Sequence, residues 1–186
     1  MIALEPFLTD VQELRRRALE QIECGPPARS HKGDLKQICD ILNQLLAMEL
    51  LCVLRYRGHY FSATAMNEGP VAQEFFQHAG EEQQHADRIA ECITQLGGKP
   101  NFNPDGLSSH NDSAYVDGPN LADMINENLS AERVAIQTYT EVIHFIAQKD
   151  VATQRTMEDI LAVEEEHADE MRDLIRRLPP TQGAGR

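Results

Sequence analysis

Four long segments without internal proline, each with an apolar residue every three or four positions, dominate this chain: 34–66, 70–96, 120–148 and 150–178. At about 27 to 33 residues each, they far exceed the mean globular helix of roughly 11–12. Breaks fall between them. Glu68-Gly69-Pro70 makes a tight turn, and a stretch rich in Gly, Pro, Asn, Asp and Ser runs over 97–119. Asp34 and Asp150 suit N-cap positions, and Pro70 suits a first helical position. Short turns after the first and third segments make antiparallel pairs. The connection of about 23 residues between the second and third can run the length of a bundle. No β pattern of comparable length competes. The expected fold is all-α, a four-helix bundle with one long crossover.

Before the bundle, 10–23 places Val11, Leu14, Ala18, Leu19 and Ile22 on one face, with Asp10 and Glu13 as a capping box. This predicts an extra N-terminal amphipathic helix whose apolar face needs a partner. The expected divisions are 1–30 for this extension and its Gly25-Pro26-Pro27 linker, 31–178 for the bundle, and 179–186 for a flexible tail.

The charge is −13. It opposes direct DNA binding, which needs a basic face, although Arg15-Arg16-Arg17 is a small basic cluster. An acidic surplus attracts metal cations. No uninterrupted apolar run reaches the roughly 18 residues of a membrane span, and Met1 to Pro6 is not a signal peptide. Cys24, Cys39, Cys52 and Cys92 form no Cys-x-x-Cys, so reduced thiols and a cytoplasmic location are expected.

Charge interrupts the apolar stripes at four places. Glu49, Glu82, Glu132 and Glu164 each occupy a mid-helix position where the 3.6-residue period calls for a core residue. The second and fourth segments add a histidine three residues on, as Glu82-x-x-His85 and Glu164-x-x-His167. Residues three apart share a helix face, so each pair can grip one ion. The pattern repeats: Glu49 to Glu82 spans 33 residues and Glu132 to Glu164 spans 32. Each lone glutamate is followed seven residues later by a tyrosine, Tyr56 or Tyr139. The two hairpins read as two copies of one unit, which together surround a point with four carboxylates and two imidazoles.

The levels along the helices can be compared. Glu132 lies 17 residues before Lys149 and Glu164 lies 15 after, so the second hairpin matches at about 1.5 Å per residue. In the first hairpin Glu49 lies 20 before Gly69 and Glu82 only 13 after. That is a mismatch of about two turns, which His85 narrows, and the first helix can also stop before Asn67.

Four carboxylates in a dry bundle repel one another and lose hydration, so unpaired they take up protons. No lysine or arginine stands on the stripes to neutralise them. Two divalent cations balance four carboxylates, and mixed oxygen and nitrogen ligation with open positions favours iron or manganese over closed structural zinc. Tyr56 and Tyr139 are read as donors to the carboxylates or as plain aromatic packing. His78, one turn before Glu82, reads as support for the site or a satisfied core histidine. Glu81, Glu165 and Glu166 read as solvated face or as guides for ions. His59 and His144 read as surface or subunit contacts, and His31 and His110 fall in loops. Cys52 and Cys92 read as small core residues.

The stretches His31-Lys32-Gly33-Asp34 through Leu46-Ala47-Met48-Glu49-Leu50 and Tyr56, Glu81-Glu82-Gln83-Gln84-His85-Ala86-Asp87-Arg88, Leu129-Ser130-Ala131-Glu132-Arg133 and Glu164-Glu165-Glu166-His167 together resemble the bacterioferritins. The resemblance covers roughly 31–178 and implies a ferritin-like bundle. It further implies ferroxidase activity: two Fe(II) per subunit are oxidised by O2 or H2O2, and ferric product passes to a mineral core in a hollow homo-oligomer. Carried onto this chain, Glu49 and His85 would bind one iron, Glu132 and His167 the other, and Glu82 and Glu164 would bridge.

The chain also departs from that pattern. Gln83 stands where bacterioferritins carry their haem-ligating methionine, so no haem is expected. The short fifth helix of 24-subunit ferritins has no match in Pro179 to Arg186, and the crossover is longer. With Ala131 to Tyr139, these features resemble the Dps-like, bacterioferritin-related branch, which implies twelve subunits, with 24 as the alternative. The paired cysteines of some of that branch are missing, with Val134 at one position. The leading expectation is an iron-oxidising storage or detoxification shell. The alternative is a manganese catalase or a rubrerythrin-like peroxidase. Rubrerythrins usually carry a Cys-x-x-Cys iron domain, which this chain lacks, while manganese ligation overlaps with iron.

Overall fold

The computed structural model describes residues 32–107, 117–147 and 149–178, together with Arg16. The expected helix over 10–23, the rest of the extension and linker, His31, His110, Cys24 and the tail over 179–186 lie outside the described residues, Arg16 excepted.

Four α-helices account for most of the chain: α1 (Lys32–Ala65), α2 (Gly69–Gln95), α3 (Leu121–Ile146) and α4 (Val151–Arg177). No strand occurs among the described residues. Helix ends follow local chemistry. Asn67 takes a left-handed φ of 62°, and the Glu68 N–H turns back to the Ala63 carbonyl at 3.0 Å, closing α1. Gly97, at φ 80°, does the same for α2, with the Gly98 N–H on the Ile93 carbonyl at 2.8 Å. Asn120 caps α3 by accepting from the Asp123 N–H at 2.9 Å, and Asp150 caps α4 by accepting from the Thr153 N–H at 2.8 Å. Asp34 is not a cap. α1 starts two residues earlier and holds Asp34 in its first turn, where its charge faces the positive end of the helix.

α1 packs along α2, and α3 along α4; the hairpins meet through α1 against α3 and α2 against α4. The crossover leaves α2 pinned to α1. The Asn43 side chain donates to the Lys99 carbonyl at 3.3 Å and accepts from the Asn101 N–H at 2.8 Å. A side chain at Gly98 would come within 2.7 Å of Cys39 Sγ, so glycine permits that close approach. A single 3-10 turn, Pro104–Gly106, follows.

The apolar core is split in two. One cluster gathers Leu42, Leu45, Leu46, Ile89, Ile93, Ile146, Met157 and Ile160. The other gathers Phe75, Ala79, Met124, Ile125, Leu129 and Met171. Burial of each large apolar side chain contributes about 1.5–3 kcal/mol. Those contributions offset the cost of the polar layer between the clusters. α1 also holds an 18-residue window of mean hydropathy 1.5, long and apolar enough by length and composition to cross a membrane. Glu49, Arg55 and His59 are nonetheless buried along it, so it is the core helix of this bundle.

Candidate metal centre

The closing turn at Asn67 decides whether the carboxylates meet. α1 ends at Ala65, so Glu49 stands sixteen residues before that end and Glu82 thirteen after the start of α2. The mismatch counted to Gly69 thereby shrinks to about one turn.

All six predicted residues converge between the two apolar clusters. Glu49, Glu82, Glu132 and Glu164 are each no more than 1% exposed, and His85 and His167 are buried beside them. His85 Nδ1 lies 2.8 Å from Glu164 Oε1, 3.5 Å from Glu82 Oε2 and 3.7 Å from Glu49 Oε2. His167 Nδ1 lies 3.2 Å from Glu82 Oε1 and 3.9 Å from Glu164 Oε2. Two sets of four donors form, each within 4.8 Å: Glu49, Glu82, His85, Glu164, and Glu82, Glu132, Glu164, His167. They share Glu82 and Glu164.

The tyrosines cross between hairpins. Tyr56 donates to Glu132 Oε1, and Tyr139 donates to Glu49 Oε1 at 2.5 Å. The earlier glutamate thus pairs with the later tyrosine, which sets α1 antiparallel to α3 and relates the hairpins by a pseudo-two-fold axis. Glu49 Oε2, Glu82 Oε2, Glu132 Oε2, both Glu164 oxygens and His85 Nδ1 have no aligned hydrogen-bond partner. His85 Nδ1 and Glu164 Oε1 are close without being aligned as donor and acceptor. Buried polar atoms left this way are costly, and together they fit divalent cations better than they fit each other.

The protein groups alone limit their charge by holding protons. Burial pushes the Glu49 and Glu132 carboxyls well above the usual range, and repulsion from Glu82 adds to it. Burial lifts Glu164 to about 8, aided by Glu82 and Glu49. Burial also opposes charge on Glu82, but contacts from His167 and His85 outweigh it and hold this carboxyl well below the usual range. Burial works against protonated imidazoles too. Even so, Glu164, Glu49 and Glu82 bring His85 to about 12, and Glu82, Glu132 and Glu81 bring His167 to about 9.

The sequence reads His78 as support for the site or a core histidine and Glu81 as solvated face or an ion guide, and it leaves Glu170 unmarked. Glu81 Oε2 lies 2.8 Å from His167 Nε2 and orients that ring. Glu170, never on an apolar stripe, lies 2.8 Å from His78 Nε2, while His78 Nδ1 lies 3.1 Å from the Tyr56 oxygen. His59 is buried, with Nδ1 3.1 Å from Asn128 Oδ1. Arg55 is buried as well, but its guanidinium meets Cys52 Sγ at 3.6 Å and pairs with none of the six. Burial pushes the Cys52 thiol up, with Glu82 and Glu49 adding, so it stays neutral. The side chain of Gln83 donates to Asp87 at 2.9 Å. Glu165 and Glu166 are exposed.

The fold and this centre define a carboxylate-lined four-helix protein, and comparison with known families agrees. The ferritin-like domain profile matches residues 39–180, so the chain belongs to that family. It is 26% identical to a bacterioferritin of Desulfovibrio desulfuricans over 132 residues, covering 70% of each chain. It is 27% identical over 150 residues to a DNA protection during starvation protein of Pyrococcus furiosus, covering 78% of this chain and 80% of that one. Among solved structures, a dodecameric thioferritin, the bacterioferritin-related protein of Bacteroides fragilis, superposes with a TM-score of 0.72 at 29% identity. The match covers 87% of this chain and 93% of that one.

Proposed function

We propose that this chain is a ferroxidase that stores and detoxifies iron. Two Fe(II) ions are its substrate. Glu49 and His85 hold one, Glu132 and His167 hold the other, and Glu82 and Glu164 bridge them. The observation that carries this reading is the pair of four-donor sets sharing Glu82 and Glu164. Four carboxylates and two divalent ions sum to zero charge, which suits a buried layer, and imidazole nitrogen with carboxylate oxygen suits iron. Two ferrous ions supply two electrons, the number needed to take O2 to peroxide or peroxide to water. The buried tyrosines and the apolar clusters limit water around the donors.

The ferric product passes to a mineral held inside a hollow homo-oligomer of twelve subunits, in a cytoplasmic setting. Support for twelve comes from the dodecameric relative, and support for storage from the bacterioferritin of Desulfovibrio desulfuricans and the bacterioferritin-related protein of Bacteroides fragilis. Those relatives favour storage over a catalase or peroxidase role.

The test is aerobic Fe(II) titration of apoprotein, with particle mass measured on the same sample. Fast oxidation should saturate near two irons per chain, in a particle of about 250 kDa for twelve chains of 20.9 kDa. A monomer that oxidises iron no faster than buffer rejects the proposal.

A further inference from the structure

The pseudo-two-fold relation between the hairpins breaks beside one imidazole. Glu81 stands one residue before Glu82, and the matching position before Glu164 is Val163. His78 stands four before Glu82, and its match is Ile160. The six converging residues are duplicated, but their surroundings are not.

His167 is held from two directions. Its Nδ1 lies 3.2 Å from Glu82 Oε1 in the centre, and its Nε2 lies 2.8 Å from Glu81 Oε2 outside it. The His78 ring stacks on it with centroids 4.1 Å apart. All three carboxylate contacts of His85, by contrast, run through Nδ1. A carboxylate accepts, so the nitrogen facing Glu81 is a donor. With Nε2–H committed to Glu81, the neutral His167 ring presents its Nδ1 lone pair to a cation. An imidazole that donates its second N–H to a carboxylate is a more basic and better oriented ligand, and losing that partner costs about 10- to 100-fold in metal affinity. The valine side chain at position 163 has no acceptor to give His85 the same support. The Glu81 side chain is 32% exposed, so it keeps part of its hydration and lies outside the buried layer of four carboxylates.

We propose that Glu81 is a positioning residue that makes the two metal positions unequal. The Glu132–His167 position fills first and holds its ion tighter. The Glu49–His85 position fills last and empties first, which gives a duplicated centre a direction for exchange with its surroundings. This inference rests on the proposed dinuclear reading, which by itself makes the two positions nearly equivalent.

Co(II) serves as the probe, bound to the full chain. Calorimetric titration counts the steps, and anomalous diffraction from crystals given one Co(II) per chain assigns them. The wild type should show two steps about 10- to 100-fold apart, with the stronger peak beside His167. The E81A variant should weaken the tighter step by a similar factor, leave the other in place and bring the two peaks to near-equal occupancy. The E81Q variant keeps an acceptor oxygen and should retain part of the preference. Alanine and glutamine are good helix formers, and melts like that of the wild type show that the fold is kept. Equal occupancy in the wild type overturns the role of Glu81 and leaves the dinuclear reading intact. So does a preference for His167 that survives E81A, or an equal weakening of both steps. No Co(II) among the six residues overturns the dinuclear reading, and this inference with it.

Discussion

Tyr139 reaches across the bundle to donate a 2.5 Å hydrogen bond to Glu49, a residue on the other hairpin. Its counterpart Tyr56 does the same for Glu132. Each hydroxyl fixes one carboxylate oxygen and leaves the other to face the centre. Tyr139→Phe should therefore weaken metal binding at the Glu49–His85 half by about 10- to 100-fold and spare the other half. Tyr56→Phe should do the reverse. Co(II) titrations followed by visible absorption resolve the two halves, and equal weakening of both in each variant would show that the tyrosines merely pack.

Glu164 is shared by both donor sets, so its loss should damage both. Glu164→Gln is predicted to lower the fast Fe(II) oxidation rate by about tenfold or more. The same change removes a group that is costly to ionise when buried, so Tm should stay level or rise by a few degrees. Stopped-flow oxidation and a melting curve on one preparation test both halves of this statement. A large fall in Tm with unchanged oxidation would contradict it.

Metal affinity should climb with pH across an unusually wide range. Cations bind only the deprotonated carboxylates and neutral imidazoles. Without a cation, Glu49 and Glu132 hold protons well above their ordinary values, Glu164 to about 8, His167 to about 9 and His85 to about 12. Raising pH removes these competing protons, so Co(II) affinity should keep rising from pH 6 to pH 9. It should not level off above the usual histidine value of about 6.5. Calorimetry in buffers of different ionisation enthalpy should show net proton release when the ions bind near pH 7. Binding with no proton release would rule this out.

Gly118 carries a φ of 60° just before α3, and a Cβ there would lie 2.8 Å from the Met124 backbone nitrogen. Gly118→Ala should destabilise the chain by about 1–3 kcal/mol, through left-handed strain and a contact that backbone cannot relieve. Gly69 has open space around it, and Gly69→Ala makes the matched control. Equal melting temperatures for the two variants would refute the prediction.

Much of this protein was legible before any coordinates. The four helices, their approximate limits and the six converging residues follow from periodicity. A helix repeats every 3.6 residues, so Glu82 with His85, or a glutamate on an apolar stripe, is a local fact. The internal repeat also made the second hairpin a check on the first.

Relationships between helices lay beyond that reach. That Asn67 ends α1 early enough to level Glu49 with Glu82, and that Tyr56 serves Glu132 instead of the glutamate on its own helix, depends on how antiparallel helices register against each other. Glu81 reads as solvated face or as a guide for ions in a linear reading, and Glu170 carries no signal there, because periodicity reports only which way a side chain leaves its own helix. Which imidazole it meets is decided by the neighbouring helix, and that choice is made in three dimensions.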